Sequence, residues 1–299
     1  MAIDLRAVTL DDIDAVGRVI DAQDVAWWGA PDGDLDDVRD EFVRAERAAG
    51  SLEAGGRVAV DGSRVIGVAM LAGHGQTTLA VDPAEPGAAR AATALLSWAV
   101  EQGADQVETP AQDRGRLVRL AEHEFVPCRS SFELERPGDV SDLAHPSWPA
   151  GITPVPFRLG VDDEELHAMI YSFWTDVPGH VARPIEEWRS SILAGSWFDA
   201  EYVVVARSGG GDGPIVGCAL GRTFTGDVGW VSQLGVAPAA RGLGLGRAIL
   251  LEICHRLGRR GPRVIGLGVE AENAGALGLY RSVGMEIARE WVHCRRRCE

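Results

Sequence analysis

Arg241, Gly242, Leu243, Gly244, Gly246 and Arg247 lie within seven consecutive residues, RGLGLGR, between a β-like run at 230–236 and an apolar stretch that reaches Leu250. A strand that feeds a glycine loop and opens into a helix leaves the first N–H groups of that helix without partners, all pointing where an anion can sit. The glycines let backbone and phosphate approach closely. No Lys-Ser/Thr pair follows the last glycine, so the ATP-type loop fails. The run also has only GxGxG, with no acidic ribose partner placed about twenty residues on, and so falls short of a dinucleotide fingerprint.

A second group follows in VIGLGVEAENAGALGLYRSVGMEI. A β-like segment at 264–269 precedes Asn273, Tyr280 stands seven residues later on a short helix, and Gly284-Met285 closes the run. Together the two groups resemble the signatures of the GNAT superfamily of N-acetyltransferases: Arg, two residues, Gly, one residue, Gly; then Asn, a helical Tyr and a Gly-apolar pair. The resemblance implies acetyl-CoA as acyl donor, with Arg241, Gly242, Leu243, Gly244, Gly246, Arg247 and Asn273 around its phosphates. It also implies that Leu234 or Val236 offers a main-chain N–H to the developing oxyanion, and that Tyr280 protonates the leaving thiolate.

Transfer to an amine requires that the nitrogen be neutral, so a base or a water chain must take its proton. Relatives often carry Glu or Asp on the strand before the proline turn. By period-two alternation Val228, Trp230, Ser232, Leu234 and Val236 share one face here, and none is a carboxylate. Glu270, Asp227 and a water held by Ser232 stay open as alternatives, as does binding of acyl-CoA without turnover. For the acceptor, the family commonly uses the segment joining its first two helices. Here that segment carries Trp174, Asp176 and His180, and aromatics with carboxylates suit a cationic amine. Tryptophans packed beneath a solvated helix start are the competing reading. Trp230 completes the acceptor set.

The elements that must position these residues occur twice. VAVDGSRVIGVAML in the first half and VVVARSGGGDGPIVGCAL in the second each read as strand, glycine turn, strand. LAVDP and LGVAP, each leading into an Ala/Leu-rich helix, match further on. Near the N-terminus, Thr9 and Asp12 have capping-box spacing before an amphipathic helix. The expectation is a mixed α/β protein of two tandem GNAT-like domains, each a central mixed sheet flanked by helices: 1–137, a linker at 138–151, and 152–299. Superposing Pro83 on Pro238 sets Pro86 at Arg241, Ala89 at Gly244 and Ala91 at Gly246, with Asp113 at Asn273 and Leu120 at Tyr280. Proline has no N–H to donate and the methyl groups crowd the approach, so the first domain is expected to be non-catalytic. The tandem arrangement is most similar to the mycothiol synthase group, whose strand carboxylate is replaced here by Trp230. Antibiotic-modifying and biosynthetic N-acyltransferases share the scaffold, and a long-chain acyl donor stays open as an alternative.

Composition is consistent with this. The 299 residues, 46% hydrophobic and 24% charged, suffice for about two domains. A formal charge of −15 argues against nucleic acid and anionic membranes and for a small-molecule amine. All basic residues are Arg. The acidic start MAIDLRAVTLDDID lacks an export pattern, and no apolar run is long enough to span a membrane. Five cysteines without framework spacing predict reduced thiols and a cytoplasmic protein; a monomer or homodimer is expected. His293, Cys294 and Cys298 lack a fourth ligand, so no metal is expected.

Overall fold

The computed structural model describes residues 3–33, 35–173, 182–195, 197–224 and 227–297. In chain order the first half gives β1 (Asp4–Ala7), α1 (Ile13–Trp28), α2 (Leu35–Ala49), α3 (Leu52–Gly55), β2 (Gly56–Asp61), β3 (Arg64–Gly73), β4 (Gln76–Val81), α4 (Ala88–Glu101), β5 (Gln106–Pro110), α5 (Arg114–Glu122) and β6 (Phe125–Pro137). The second gives β7 (Ile152–Pro156), α6 (Asp163–Ser172), α7 (Ile185–Trp188), β8 (Val203–Ser208), β9 (Ile215–Phe224), β10 (Val228–Val236), α8 (Leu245–Gly258), β11 (Val264–Glu270), α9 (Ala274–Arg281) and β12 (Glu286–Arg296).

Contacts divide the chain into two compact units, Met1–Ser131 with Arg289–Glu299, and Phe132–Ala288. In the first the strand order is β1-β2-β3-β4-β5-β12, antiparallel except between β4 and β5. In the second it is β7-β8-β9-β10-β11-β6, with β10 and β11 parallel. Each unit therefore completes its sheet with a strand from the other half of the sequence. The units depart from the boundaries at 137 and 152 by these strands, because an alternating pattern does not say which sheet a strand will join. Residues 138–151 hold no helix or strand, yet Val140, Leu143 and Trp148 pack on the second unit's core.

In the second unit the sheet is covered on both faces. Leu245, Ile249, Ile253 and Leu257 of α8 pack over one face with Ala219, Val231 and Ile265. Leu166, Met169 and Ile170 of α6 pack with Cys218 and Leu220 on the other. The close fit of α8 uses glycine: a Cβ at Gly217 would lie 2.5 Å from Ile249 Cδ1. In the first unit, Asp12 accepts the Thr9 N–H at 2.9 Å ahead of α1, the acidic half of the expected capping box.

Candidate functional site

The geometry is set by one irregularity in β10. Its register against β9 slips between Val231 and Gln233, leaving Ser232 as the extra, exposed residue of a bulge. Residues directly opposite in an antiparallel pair share a face. Val231↔Gly221, Leu234↔Ala219 and Val236↔Gly217 therefore put Val231, Leu234 and Val236 on the α8 face. Trp230↔Arg222, Gln233↔Leu220 and Gly235↔Cys218 put Trp230, Gln233 and Gly235 on the α6 face. The alternation expected for Trp230, Ser232, Leu234 and Val236 is thus wrong: Trp230 lies on the sheet face opposite Leu234 and Val236. The same slip brings in Gln233, which no sequence pattern singled out, because a bulge leaves no reliable trace in one sequence.

Beside the bulge the sheet opens. The parallel ladder of β10 and β11 ends at Val231↔Leu267, while β10 runs on to Val236 and β11 to Glu270. The Gly235 carbonyl lies beside Gly217 of β9, and Ala237 N–H donates to Val216 O at 2.9 Å. The intervening Val236 must therefore turn its N–H and C=O away from β9, and Leu234 does likewise by backbone alternation. These two residues direct main-chain donors into the opening.

The loop after β10 is shaped for an anion. Gly242 has φ +77° and Gly244, the N-cap of α8, has φ +84°, a left-handed region costly for other residues. A Cβ at either would meet no protein atom within 4 Å, so the space above them is open. No side chain caps α8 and its first turn has no acidic residue, which leaves the terminal amides directed outward with the positive end of the helix dipole behind them. Arg241 donates from Nε to Val236 O at 3.2 Å, and the exposed Leu243 forms the outer rim. At Gly246 a Cβ would touch Leu279 and Val236 at 3.5 and 3.6 Å, so β10, α8 and α9 converge there. Arg247 reaches Ser282 O at 3.5 Å.

Asn273 is the N-cap of α9: its Oδ1 accepts the Ala276 N–H at 3.1 Å. Tyr280, one turn beyond Ala276 and next to Leu279, is buried in the core, and burial alone pushes its phenol above the usual range. Among the described residues, none hydrogen-bonds its hydroxyl. It therefore keeps its proton at neutral pH. Glu270 ends β11 on the α6 face, two positions beyond Gly268, and its carbonyl accepts the Asn273 N–H at 3.0 Å. Asp227 precedes the opposite end of β10, where its carbonyl accepts from Arg263, and is remote from the opening.

On the α6 face the Trp230 indole lies across β11: a Cβ at Gly266 would fall 2.8 Å from its ring and one at Gly268 3.9 Å away. The Phe173 ring covers Gly235 in the same way. Trp174, Asp176 and His180 lie outside the described residues, as does Cys298. Cys294 is buried in the first unit's core, and burial with Arg129 nearby lowers His293 to about 4.

The first unit repeats this frame with altered parts. Asp113 caps α5 at φ −78°, ψ 75°, against φ −81°, ψ 69° for Asn273, and Leu120 is core. Yet Gly87, not Ala89, is the N-cap of α4, at φ −87°. Four positions separate Pro83 from Gly87, against six from Pro238 to Gly244, so the loop is two residues shorter. A Cβ at Gly87 would lie 2.8 Å from Ile3 Cδ1, so protein fills the approach.

The model of the Acetyltransferase (GNAT) family matches residues 164–285. Mycothiol acetyltransferase of Kytococcus sedentarius is 31% identical over 78% of this chain and 80% of its own. That of Frankia alni is 30% identical over 83% and 79%. Among solved structures, a GCN5-related N-acetyltransferase from Sphaerobacter thermophilus aligns at TM-score 0.81 and 25% identity, covering 98% of this chain and 95% of that one. A tandem GNAT protein from the clavulanic acid biosynthesis pathway shares the fold at TM-score 0.70 and 17% identity, covering 98% of each chain. The chain belongs to the GNAT family of acetyltransferases. It is an N-acetyltransferase, moving acetyl from acetyl-CoA to an amine.

Proposed function

We propose that the site in residues 152–299 acetylates a primary amine of a small molecule and that residues 1–137 do not turn over substrate. The observation that carries this is the convergence of the strand opening, the uncapped start of α8 and the α9 helix of Tyr280 around Val236, Gly246 and Leu279. The parts present fit acetyl-CoA, since the open cradle at Gly242 and Gly244 suits a pyrophosphate and the opening suits a slender arm.

Arg241, Arg247 and the first amides of α8 hold the phosphates, with Gly242, Leu243 and Gly244 shaping the approach, Gly246 in the first helical turn and Asn273 beside it. When bound, acetyl-CoA supplies an activated acyl group. The main-chain N–H groups of Leu234 and Val236 stabilise negative charge on the acyl oxygen. The Tyr280 hydroxyl holds a proton where the sulfur departs, and Glu270, or a water held by Ser232, accepts the proton of the attacking amine. Trp230 walls the acceptor side, with Trp174, Asp176 and His180 as further acceptor contacts.

The names of the relatives make the cysteinyl amine of a mycothiol precursor the first acceptor to try. Incubation with isotope-labelled acetyl-CoA and an amine panel, read by mass spectrometry, tests the acceptor class. Labelling of a small-molecule primary amine supports it, and donor binding with no labelled amine contradicts it. The panel includes mycothiol-type amines, aminoglycosides, polyamines and amino acids.

A further inference from the structure

The first unit buries a cation that no carboxylate pairs among the described residues. Arg116 of α5 is 8% exposed, and burial lowers its guanidinium only to about 10, so it is charged at neutral pH. Its hydrogen bonds reach neutral oxygens and are long, Nη1 to Gln23 Oε1 at 3.3 Å and Nη2 to Glu108 O at 3.4 Å. Among the described residues Nε, also buried, has no partner. Asp113 is engaged elsewhere: Oδ1 accepts the Arg116 main-chain N–H at 2.8 Å and Oδ2 the Trp27 indole N–H at 2.9 Å. The half-buried Arg119, about one turn along α5, lines the same space and makes no ion pair or hydrogen bond among the described residues. A buried charge left unpaired is strongly unfavourable, and an anion that joins it removes the penalty.

The space that these two cations line is a cavity. A chamber of about 40 Å³ is bounded by Arg116, Arg119, Leu79, Leu96 and Leu120, enough for a group of about three heavy atoms. It adjoins, at Gln23, Val81 and Asp113, a wider space of about 320 Å³ beside Trp27, whose rim carries the exposed Ala26 and Gln112. We infer that this cavity binds a small organic monocarboxylate, its carboxylate held by Arg116 and Arg119 and its apolar body against Trp27. Two guanidinium groups against the one carboxylate of Asp113 leave a single positive charge, which a monoanion cancels. The planar fork of an arginine matches a planar carboxylate. A phosphate dianion would bring surplus charge against leucine side chains. A CoA-like ligand is excluded where its pyrophosphate would enter, because Ile3 fills the approach at Gly87. The site lies wholly within the first unit and does not depend on acetyl transfer by residues 152–299.

Calorimetric titration of the full chain with butyrate and benzoate, each against its amide, and with inorganic phosphate as a second anion, tests this. One carboxylate should bind per chain, at least about tenfold more tightly than its amide, as charge-assisted hydrogen bonding allows. Arg116→Met, of similar volume and without charge, should abolish that preference while thermal unfolding stays cooperative. Arg119→Gln alters a half-buried residue without partners, so the fold is secure, and it should weaken carboxylate binding by about threefold or more. That variant decides the matter if Arg116→Met does not fold. Absence of saturable carboxylate binding, equal affinity for acid and amide, or a preference that survives both substitutions overturns the assignment. Phosphate binding more tightly than either carboxylate overturns the ligand class.

Discussion

Gln23 Oε1 accepts the backbone N–H of Val81 at 3.1 Å in the first unit. Val81 precedes Asp82-Pro83 as Val236 precedes Ala237-Pro238, so Gln23 occupies the donor that the second unit directs into its opening. Arg116 reaches the same oxygen at 3.3 Å, and the ladder of β4 and β5 is only Gln76↔Gln106. Both side chains thus enter the gap between those strands, at the wall of a cavity also lined by Leu79, Asp113 and Leu120. The expected stoichiometry in calorimetric titration is one acetyl-CoA per chain, and two sites of similar affinity would show that the plug yields to the ligand.

Gly244 carries the cradle. Gly244→Trp places a large side chain in open space at φ +84° and should weaken acetyl-CoA binding at least about a hundredfold, about 3 kcal/mol. Ala89 is exposed on α4, and Ala89→Trp should leave the affinity within about twofold. Equal losses would place the ligand elsewhere.

Gly266 is needed small because the Trp230 ring lies on it. Gly266→Ala brings a methyl group to 2.8 Å from the indole and should displace it, at a cost of about 1–3 kcal/mol in folding stability. The KM for the amine should rise while the Kd for acetyl-CoA, proposed to bind at the start of α8, holds. Denaturant unfolding with steady-state kinetics measures both, and an unchanged KM would remove Trp230 from the acceptor wall.

Asp24 gives a pH signature in the first unit. Burial, with Asp32 and Asp21 nearby, raises its carboxyl to about 6. The folded state then holds this proton more tightly than the unfolded state, so the contribution is fully present below about pH 4 and is lost as pH rises through about 6. Asp24→Asn keeps an acceptor for the Asp32 N–H and should stabilise the protein at pH 7 by about 1–2 kcal/mol after allowing for solvent screening. The gain should vanish near pH 4 in thermal unfolding, and a pH-independent gain would assign it to packing instead.

Local chemistry in the chain made much of the site legible. The helix N-terminus after Gly244, the cap at Asn273 and the Tyr280 turn all depend on residues within a few positions of one another. Duplication was readable because β3–β4 and β9–β10 repeat the same strand pattern before a proline turn. The bulge at Ser232 was not, since its cause lies in the pairing with β9, and one inserted residue puts Trp230 and Leu234 on opposite faces. Gln23 escaped notice for a similar reason: a glutamine on an amphipathic helix says nothing of the strand 58 residues away whose N–H it meets. The strands that β6 and β12 contribute were hidden because pairing is decided by partners distant in sequence.

Tyr280→Phe tests the central claim most directly, because it deletes one hydroxyl and leaves a ring that fills the same core position. Single-turnover transfer of labelled acetyl to the best amine of the panel, with acetyl-CoA affinity measured on the same samples, is expected to show unchanged binding and a rate lower by about a hundredfold or more. Transfer at the unaltered rate would contradict the account, since the hydroxyl would then have no part in the reaction assigned to this site.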